Sequence, residues 1–234
     1  MTRFLPACMT AIAAIALVAC SPQTPAAPAA AEAPPEAEVA VDEGGHAASL
    51  VPTISCDAGS MLNAGTTKAA LIAAHGAENV VEQKVSWVDS EINAVVLFPN
   101  DPGMRAEVLW FDDTNGPPDA ARVSGGPESL WVGPGSLLLG SSVADVESVN
   151  GGPFMMTAFE NHNHGEVSNF LGGKLDGAPG SGCSVHLAMN AGPASPEAAL
   201  SALSGDSEKS FRSDSAEVRD ANPVLADITI SFAR

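Results

Sequence analysis

Short stretches in which apolar and polar residues alternate recur through segment 50–234 and predict a domain rich in β-strands. In the last stretch, DITISF at 227–232, Ile228, Ile230 and Phe232 fall on one face of a strand. The turn sequence PNDPG separates the second stretch from the third and predicts that these two pair as a hairpin. The predicted strands are 84–89, 94–98, 105–111, 154–159, 166–171, 184–189 and 227–232.

Two segments with a helical pattern align without gaps at an offset of 75 residues, GTTKAALIAAHG at 65–76 and GSSVADVESVNG at 140–151. In each, a glycine precedes two hydroxyl residues, and a second glycine eleven positions on suits a helix C-terminus. Ser142 and Asp145 have the spacing of a capping box. The corresponding aliphatic positions are Leu71 with Val146 and, upstream, Leu62 with Leu137.

The order of these elements predicts an α+β fold of two related units, each a short helix followed by a small antiparallel meander. The units span about 58–125 and 130–190, and the C-terminal segment 191–234 adds a strand that completes a sheet. Within that segment, 204–222 is expected to be loosely ordered. The alternative is that two short capped helices resemble each other without being a repeat.

The N-terminus has the pattern of an export signal over 1–19, with Arg3 followed by a short apolar run that is too short to span a bilayer. The sequence Leu17-Val18-Ala19-Cys20 resembles the lipobox of bacterial lipoproteins. The resemblance implies that Cys20 becomes an acylated N-terminus and anchors the protein to a membrane. Ser21 follows where an aspartate would retain a lipoprotein in the inner membrane, which implies an outer-membrane location facing the periplasm. The alternative is an ordinary secretory signal.

Segment 20–49 consists mostly of Ala, Pro and Glu and contains five acidic residues and no basic ones. Such a composition cannot bury enough apolar surface to fold, so we expect a disordered tether between Cys20 and the domain at 50–234.

The whole chain has 28 acidic and 10 basic residues, which gives a net charge of -18 and excludes nucleic acid as a partner. The segment 50–234 has 23 acidic and 9 basic residues, so its net charge is -14. This charge favours cationic or neutral partners.

The repeated helix pattern resembles the repeat shared by the β-lactamase-inhibitory protein and the small lipoprotein of the outer-membrane β-barrel assembly machinery. Pro153 lies where those repeats often have proline, whereas Thr66 and Ser141 replace their usual methionine and Glu78 replaces the proline of the first copy. The resemblance covers about a dozen residues of each copy. It implies helix-plus-sheet units that present a surface to another protein, and it transfers no catalytic residues.

Four cysteines are present, of which Cys8 lies in the signal and Cys20 is the proposed lipidation site. The remaining two, Cys56 and Cys183, are predicted to form a disulfide in an oxidising compartment. The alternative is two buried free thiols. A catalytic pair of Cys183 with His186 is disfavoured because each residue has a simpler role.

The stretch ENHNHGE is the one place where metal-ligand types cluster, with His162 and His164 joined by Glu160 or Glu166. The stretch also has the composition of a turn between two strands, which is the favoured interpretation, so these residues are weak metal candidates. The chain has no G-x-S-x-G serine elbow and no phosphate-binding glycine motif. We therefore expect no catalytic residues and no cofactor.

The sequence thus predicts a noncatalytic interaction or assembly module of the cell envelope, held to the membrane by lipid and acting on another envelope protein. Among Trp87, Trp110 and Trp131, most are expected in the core, and one on a sheet face would be the best candidate for a partner contact. The alternatives are a periplasmic small-ligand or metal-binding lipoprotein and a periplasmic hydrolase whose site forms only on folding. The oligomeric state is left open.

Overall fold

A computed structural model describes residues 51–87, 90–111, 116–159, 164–177, 182–206 and 208–232. The predicted signal, lipobox with Cys20 and tether lie outside the described residues, as do Glu160 and His162. The described chain has an α+β fold with four α-helices and a nine-stranded antiparallel sheet.

The helices are α1 (Lys68–His75), α2 (Val143–Asn150), α3 (Glu197–Leu203) and α4 (Ala216–Ala221). The strands are β1 (Val80–Trp87), β2 (Ser90–Leu97), β3 (Ala106–Leu109), β4 (Ala120–Ser124), β5 (Met155–Thr157), β6 (His164–Asn169), β7 (Cys183–Asn190), β8 (Ser210–Arg212) and β9 (Val224–Phe232). Short 3-10 turns lie at Ala77–Asn79, Pro134–Ser136 and Lys174–Asp176.

The strand order is β1-β2-β3-β4-β9-β7-β6-β5-β8. The predicted hairpin is confirmed, because β2 and β3 pair with Val95 opposite Val108. The C-terminal strand β9 pairs with β4 on one side and with β7 on the other, so it joins the two halves of the chain in the middle of the sheet. Ile228, Ile230 and Phe232 are buried, as their alternation predicts.

The main core lies on one face of the sheet and includes buried residues from all four helices. Trp131 and Phe154 are the largest of its fully buried side chains. The helices are held to the sheet through Leu71 of α1, Val146 of α2, Leu203 of α3, and Val218 with Ala221 of α4.

Both predicted helices are present and begin and end as their caps indicate. The Thr67 hydroxyl accepts a hydrogen bond from the Ala70 N–H at 3.2 Å. At α2 the Ser142 hydroxyl accepts from the Asp145 N–H at 3.2 Å while the Asp145 carboxylate accepts from the Ser142 N–H at 2.8 Å, which is the predicted capping box.

The expectation of a loosely ordered segment 204–222 is wrong. Strand β8 lies within it and pairs with β5, and α4 follows, capped by the Ser215 hydroxyl, which accepts from the Val218 N–H at 3.4 Å. Two apolar side chains of α4, Val218 and Ala221, are fully buried in the main core and attach this polar segment to it.

Candidate protein-interaction surface

The second face of the sheet carries a small apolar cluster of its own. Because side chains alternate between faces along a strand, Val96 and Leu109 lie opposite to their neighbours in the main core. None of the four helices contributes to this cluster. Its buried members are Val85, Ala94, Val96, Leu109 and Ala120, with Trp87 and Ile92 packed at its margin.

The first four strands curl around this cluster. In the strand order β2 and β3 separate β1 from β4, which in a flat sheet would place β1 and β4 about 14 Å apart. Nevertheless, Arg122 of β4 donates from Nη2 to the Ser86 carbonyl of β1 at 2.7 Å. The end of β1 therefore curves over the second face to within reach of the Arg122 side chain, and the apolar side chains of the second face lie inside this curl.

A nearly buried carboxylate holds Arg122 in position. Glu107, whose side chain is 7% exposed, accepts from Arg105 Nη2 at 2.6 Å and from Arg122 Nε at 2.9 Å, with a further contact from Arg122 Nη2. Asp227 of the neighbouring strand β9 lies 3.9 Å from Arg122 Nε. The two guanidinium groups together compensate the charge of the desolvated carboxylate more completely than one of them would.

An aromatic cluster, defined as Trp87, Phe111 and Arg122, lies where the curl closes. The Trp87 and Phe111 rings meet edge to face, with centroids 6.3 Å apart and an interplanar angle of 61°. The Arg122 guanidinium carbon lies 5.0 Å from the centroid of the Trp87 ring. Phe111 is 56% exposed although its backbone N–H is fixed by a 2.6 Å hydrogen bond to Asp119 Oδ2.

The other two tryptophans lie in the core. Trp110 donates from Nε1 to the Gly116 carbonyl at 2.8 Å, and Trp131 donates to the Met104 carbonyl at 2.9 Å. Both are buried, so Trp87 is the tryptophan that takes part in the surface.

The predicted disulfide is confirmed. Cys56 and Cys183 are bonded with their Cα atoms 5.8 Å apart, 127 residues apart in sequence. The bond links the beginning of the described chain to the first residue of β7. The disfavoured catalytic pair of Cys183 with His186 does not form, because Cys183 is in the disulfide and His186 Nε2 lies 3.1 Å from the Ser184 hydroxyl.

The weak metal candidates are only partly described. His164 begins β6, and Glu166 of the same strand is exposed, with its backbone N–H donating to the Thr157 hydroxyl at 3.0 Å. In the parts of the chain that the structure describes, no three His, Cys, Asp or Glu residues are grouped so that they could hold a metal ion. The metal hypothesis remains a prediction, because it depends on His162.

A shallow cavity of about 310 Å³ lies between two double-glycine turns, Gly151-Gly152 and Gly172-Gly173. Its two polar side chains, Asn150 and Arg212, already have protein partners. The Asn150 amide donates to the Gly152, Pro153 and Phe170 carbonyls, and Arg212 forms two hydrogen bonds with Asp214. The cavity is thus a gap between well-satisfied turns.

Three groups have pKa values displaced by local contacts. Hydrogen bonds from the Ser142 hydroxyl and backbone N–H lower the pKa of Asp145. The hydrogen bond from Arg212 lowers the pKa of Asp214, and burial lowers the pKa of His75, whose ring meets Phe98 edge to face at 5.3 Å. Each displacement is accounted for by capping, an ion pair or packing.

Sequence reasoning missed Glu107, Arg122 and Phe111. The sequence contained a clue to Glu107, because a charged residue within the apolar strand sequence RAEVLWF indicates a carboxylate that needs a partner. The structure shows that Glu107 is buried. Its partner Arg122 lies in β4, which the alternation of AARVS was too short to reveal.

The chain matches no family model, no curated protein and no solved structure with which it was compared. Among the described residues, no helix has the length and apolar character to cross a membrane.

Proposed function

We propose that this protein is a lipid-anchored, noncatalytic interaction module of the cell envelope that binds another envelope protein through its aromatic cluster. The observation that carries the proposal is the half-exposed Phe111 ring packed on Trp87, which in turn stacks on Arg122. Tryptophan and arginine are the residues most enriched where partner binding energy concentrates.

The setting of the cluster supports this role. Arg122 is fixed by Glu107 and by the Ser86 carbonyl, so the rings rest on a preorganised base. Rigid aromatic side chains that need no ordering on binding lose little conformational entropy. Trp87 also packs against the apolar cluster on the second face, which fixes one side of its ring.

The anchor is proposed from the lipobox that ends at Cys20. Acylation there would leave 29 residues, Ser21 to Ser49, between the lipid and the domain. We place the protein on the periplasmic side of the outer membrane because Ser21 follows the cysteine.

A relationship between the two helix-plus-meander units also belongs to this proposal. In the turn before α1, the Asn63 N–H donates to the Thr66 hydroxyl at 3.0 Å, and in the turn before α2 the Leu138 N–H donates to the Ser141 hydroxyl at 3.1 Å. The two turns differ in position by the same 75 residues as the helices. Their shared hydrogen bonding supports a duplicated unit.

The test is crosslinking in cells that carry the tagged full-length chain, followed by recovery from envelope membranes and mass spectrometry. A Cys20→Ala chain tests the anchor and Phe111→Ala tests the cluster. We expect the same outer-membrane proteins to be recovered repeatedly with the natural chain and at least about tenfold less with Phe111→Ala, since an aromatic contact in a binding hot spot exceeds about 1.4 kcal/mol.

Leu171→Ala is the matched control, because Leu171 is a similarly exposed apolar side chain, 45% exposed, that follows β6 in the other half of the sheet. It should recover the partner as well as the natural chain does. Equal recovery with Phe111→Ala would contradict the role of the cluster, and recovery that does not depend on Cys20 would contradict the anchor.

A further inference from the structure

The outer edge of β1 offers a second surface, which ends beside the aromatic cluster. β1 is eight residues long and forms one edge of the sheet in the described part of the chain. Its residues Glu82, Lys84 and Ser86 are exposed. A strand edge with unpaired backbone groups can pair with another strand.

The ladder with β2 fixes which backbone groups point outward. The Phe98 N–H donates to the Asn79 carbonyl at 2.8 Å, so the alternation of an antiparallel ladder directs Val81, Gln83 and Val85 toward β2. The residues between them direct their N–H and C=O groups away from the sheet. These are Val80, Glu82, Lys84 and Ser86.

Both ends of this outward edge already have partners. The Val80 N–H donates to the Ala77 carbonyl, and the Ser86 carbonyl accepts from Arg122. The backbone groups of Glu82 and Lys84 remain between them, so any strand that adds here is centred on Gln83.

We propose that the partner strand is β1 of a second copy of this chain, in an antiparallel dimer whose two-fold axis passes beside Gln83. In this register Glu82 lies opposite the partner's Lys84, and Lys84 opposite the partner's Glu82, with four backbone hydrogen bonds between them. Val81 then lies opposite the partner's Val85 on the second face. A two-fold axis makes the interface self-complementary.

The charge pattern selects this register over its neighbours. Centring the axis on Glu82 would place two carboxylates opposite each other, and centring it on Lys84 would place two ammonium groups opposite each other. The ion pair that Glu82 already makes with Lys68 of α1 is exposed and does not prevent a second pairing. The dimer would join two nine-stranded sheets into one.

The register is tested with Gln83→Cys in the full-length chain expressed in the envelope and analysed on non-reducing gels. Residues facing each other across the axis have Cα atoms about 4.5 Å apart, within the range that a disulfide spans. We expect a reducible dimer with Gln83→Cys. The natural chain and Glu91→Cys, an exposed position on β2, should give none.

Charge exchange tests the pairing in the Gln83→Cys background. Glu82→Lys alone and Lys84→Glu alone should each reduce the dimer at least about tenfold, because each brings like charges together twice. The double exchange should restore the dimer. Two differently tagged chains, one with each single exchange, should form a mixed dimer when they are produced together.

Each purified variant must first show the melting temperature of the natural chain. If the double exchange does not fold, the mixed dimer of the two single-exchange chains still tests the register. Absence of the Gln83→Cys dimer, equal dimer with Glu91→Cys, or insensitivity to both single exchanges would overturn the proposal.

Discussion

Asn150, the last residue of α2, shows how much a single buried side chain can hold together. Its amide nitrogen serves three carbonyls, and its oxygen accepts from the Leu175 N–H at 3.2 Å, so one side chain joins α2 to the two loops around it. It is 1% exposed, and no water could replace these bonds without opening the site. Sequence reasoning placed Asn150 in a helix but could not assign these bonds, because their partners lie up to 25 residues away.

The close approach of Gly173 to Asn150 leads to a prediction. A Cβ atom at Gly173 would lie 2.1 Å from Asn150 Oδ1, so Gly173→Ala must displace the buried amide and break its hydrogen bonds. We expect a loss of about 2 to 3 kcal/mol in the free energy of unfolding, measured by chemical denaturation.

Gly152→Ala is the matched control, since a Cβ atom there meets nothing within 4 Å. Its effect should stay within about 0.5 kcal/mol. Similar losses for both variants would show that Asn150 is not the cause.

At the scale of elements, sequence patterns predicted the helices and the hairpin that are held by interactions between residues close in sequence. The capped helices α1 and α2 and the β2–β3 hairpin depend on residues close in sequence, and all three are present. Strand β4 and helix α4 were missed because short polar or alanine-rich segments carry little periodicity of their own. β4 pairs with β3 and with the distant β9, whereas α4 packs against α3 and buries two side chains in the main core.

The bonds of Arg122 connect the curled end of β1 to β4. Arg122→Met leaves Glu107 with Arg105 alone in a nearly buried site and removes the bond to the Ser86 carbonyl. We expect a loss of about 2 kcal/mol or more in the free energy of unfolding, measured by chemical denaturation.

The double variant Glu107→Gln with Arg122→Met should recover part of that loss, because it removes a nearly buried charge that Arg105 alone compensates incompletely. Arg212→Met, which breaks an exposed ion pair with Asp214, should have little effect. Glu107→Gln is also measured alone. If the double variant loses the sum of the two single losses, the pairing of Glu107 with Arg122 is not what stabilises the curl.

At the scale of the whole molecule, the α+β class follows from the sequence, whereas the strand order does not. The pattern of 227–232 indicates a strand with one buried face but not its neighbours, and β9 pairs with strands more than 30 residues before it. Nothing in a two-residue periodicity records such distant partners. The cysteines did predict one distant contact, because Cys56 and Cys183 are the two cysteines of the domain and can form a single disulfide.

Reducing the disulfide tests its contribution to the whole fold. A bond between residues 127 positions apart restricts the unfolded chain strongly, and loop-closure entropy assigns it about 5 kcal/mol. We expect reduction and Cys183→Ala to lower the melting temperature by similar amounts. An unchanged melting temperature after complete reduction would show that the folded contacts alone determine stability.

The same bond determines how the chain carries mechanical load. Tension applied between the segment before Val51 and the C-terminus passes from Cys56 directly to Cys183, and then along β7 and the residues that follow. The residues between the two cysteines, which include β1 to β6 and the aromatic cluster, form a covalent loop outside the path of that force. Stretched to its limit, the oxidised chain is about 430 Å shorter than the reduced one, a difference that single-molecule extension measures directly.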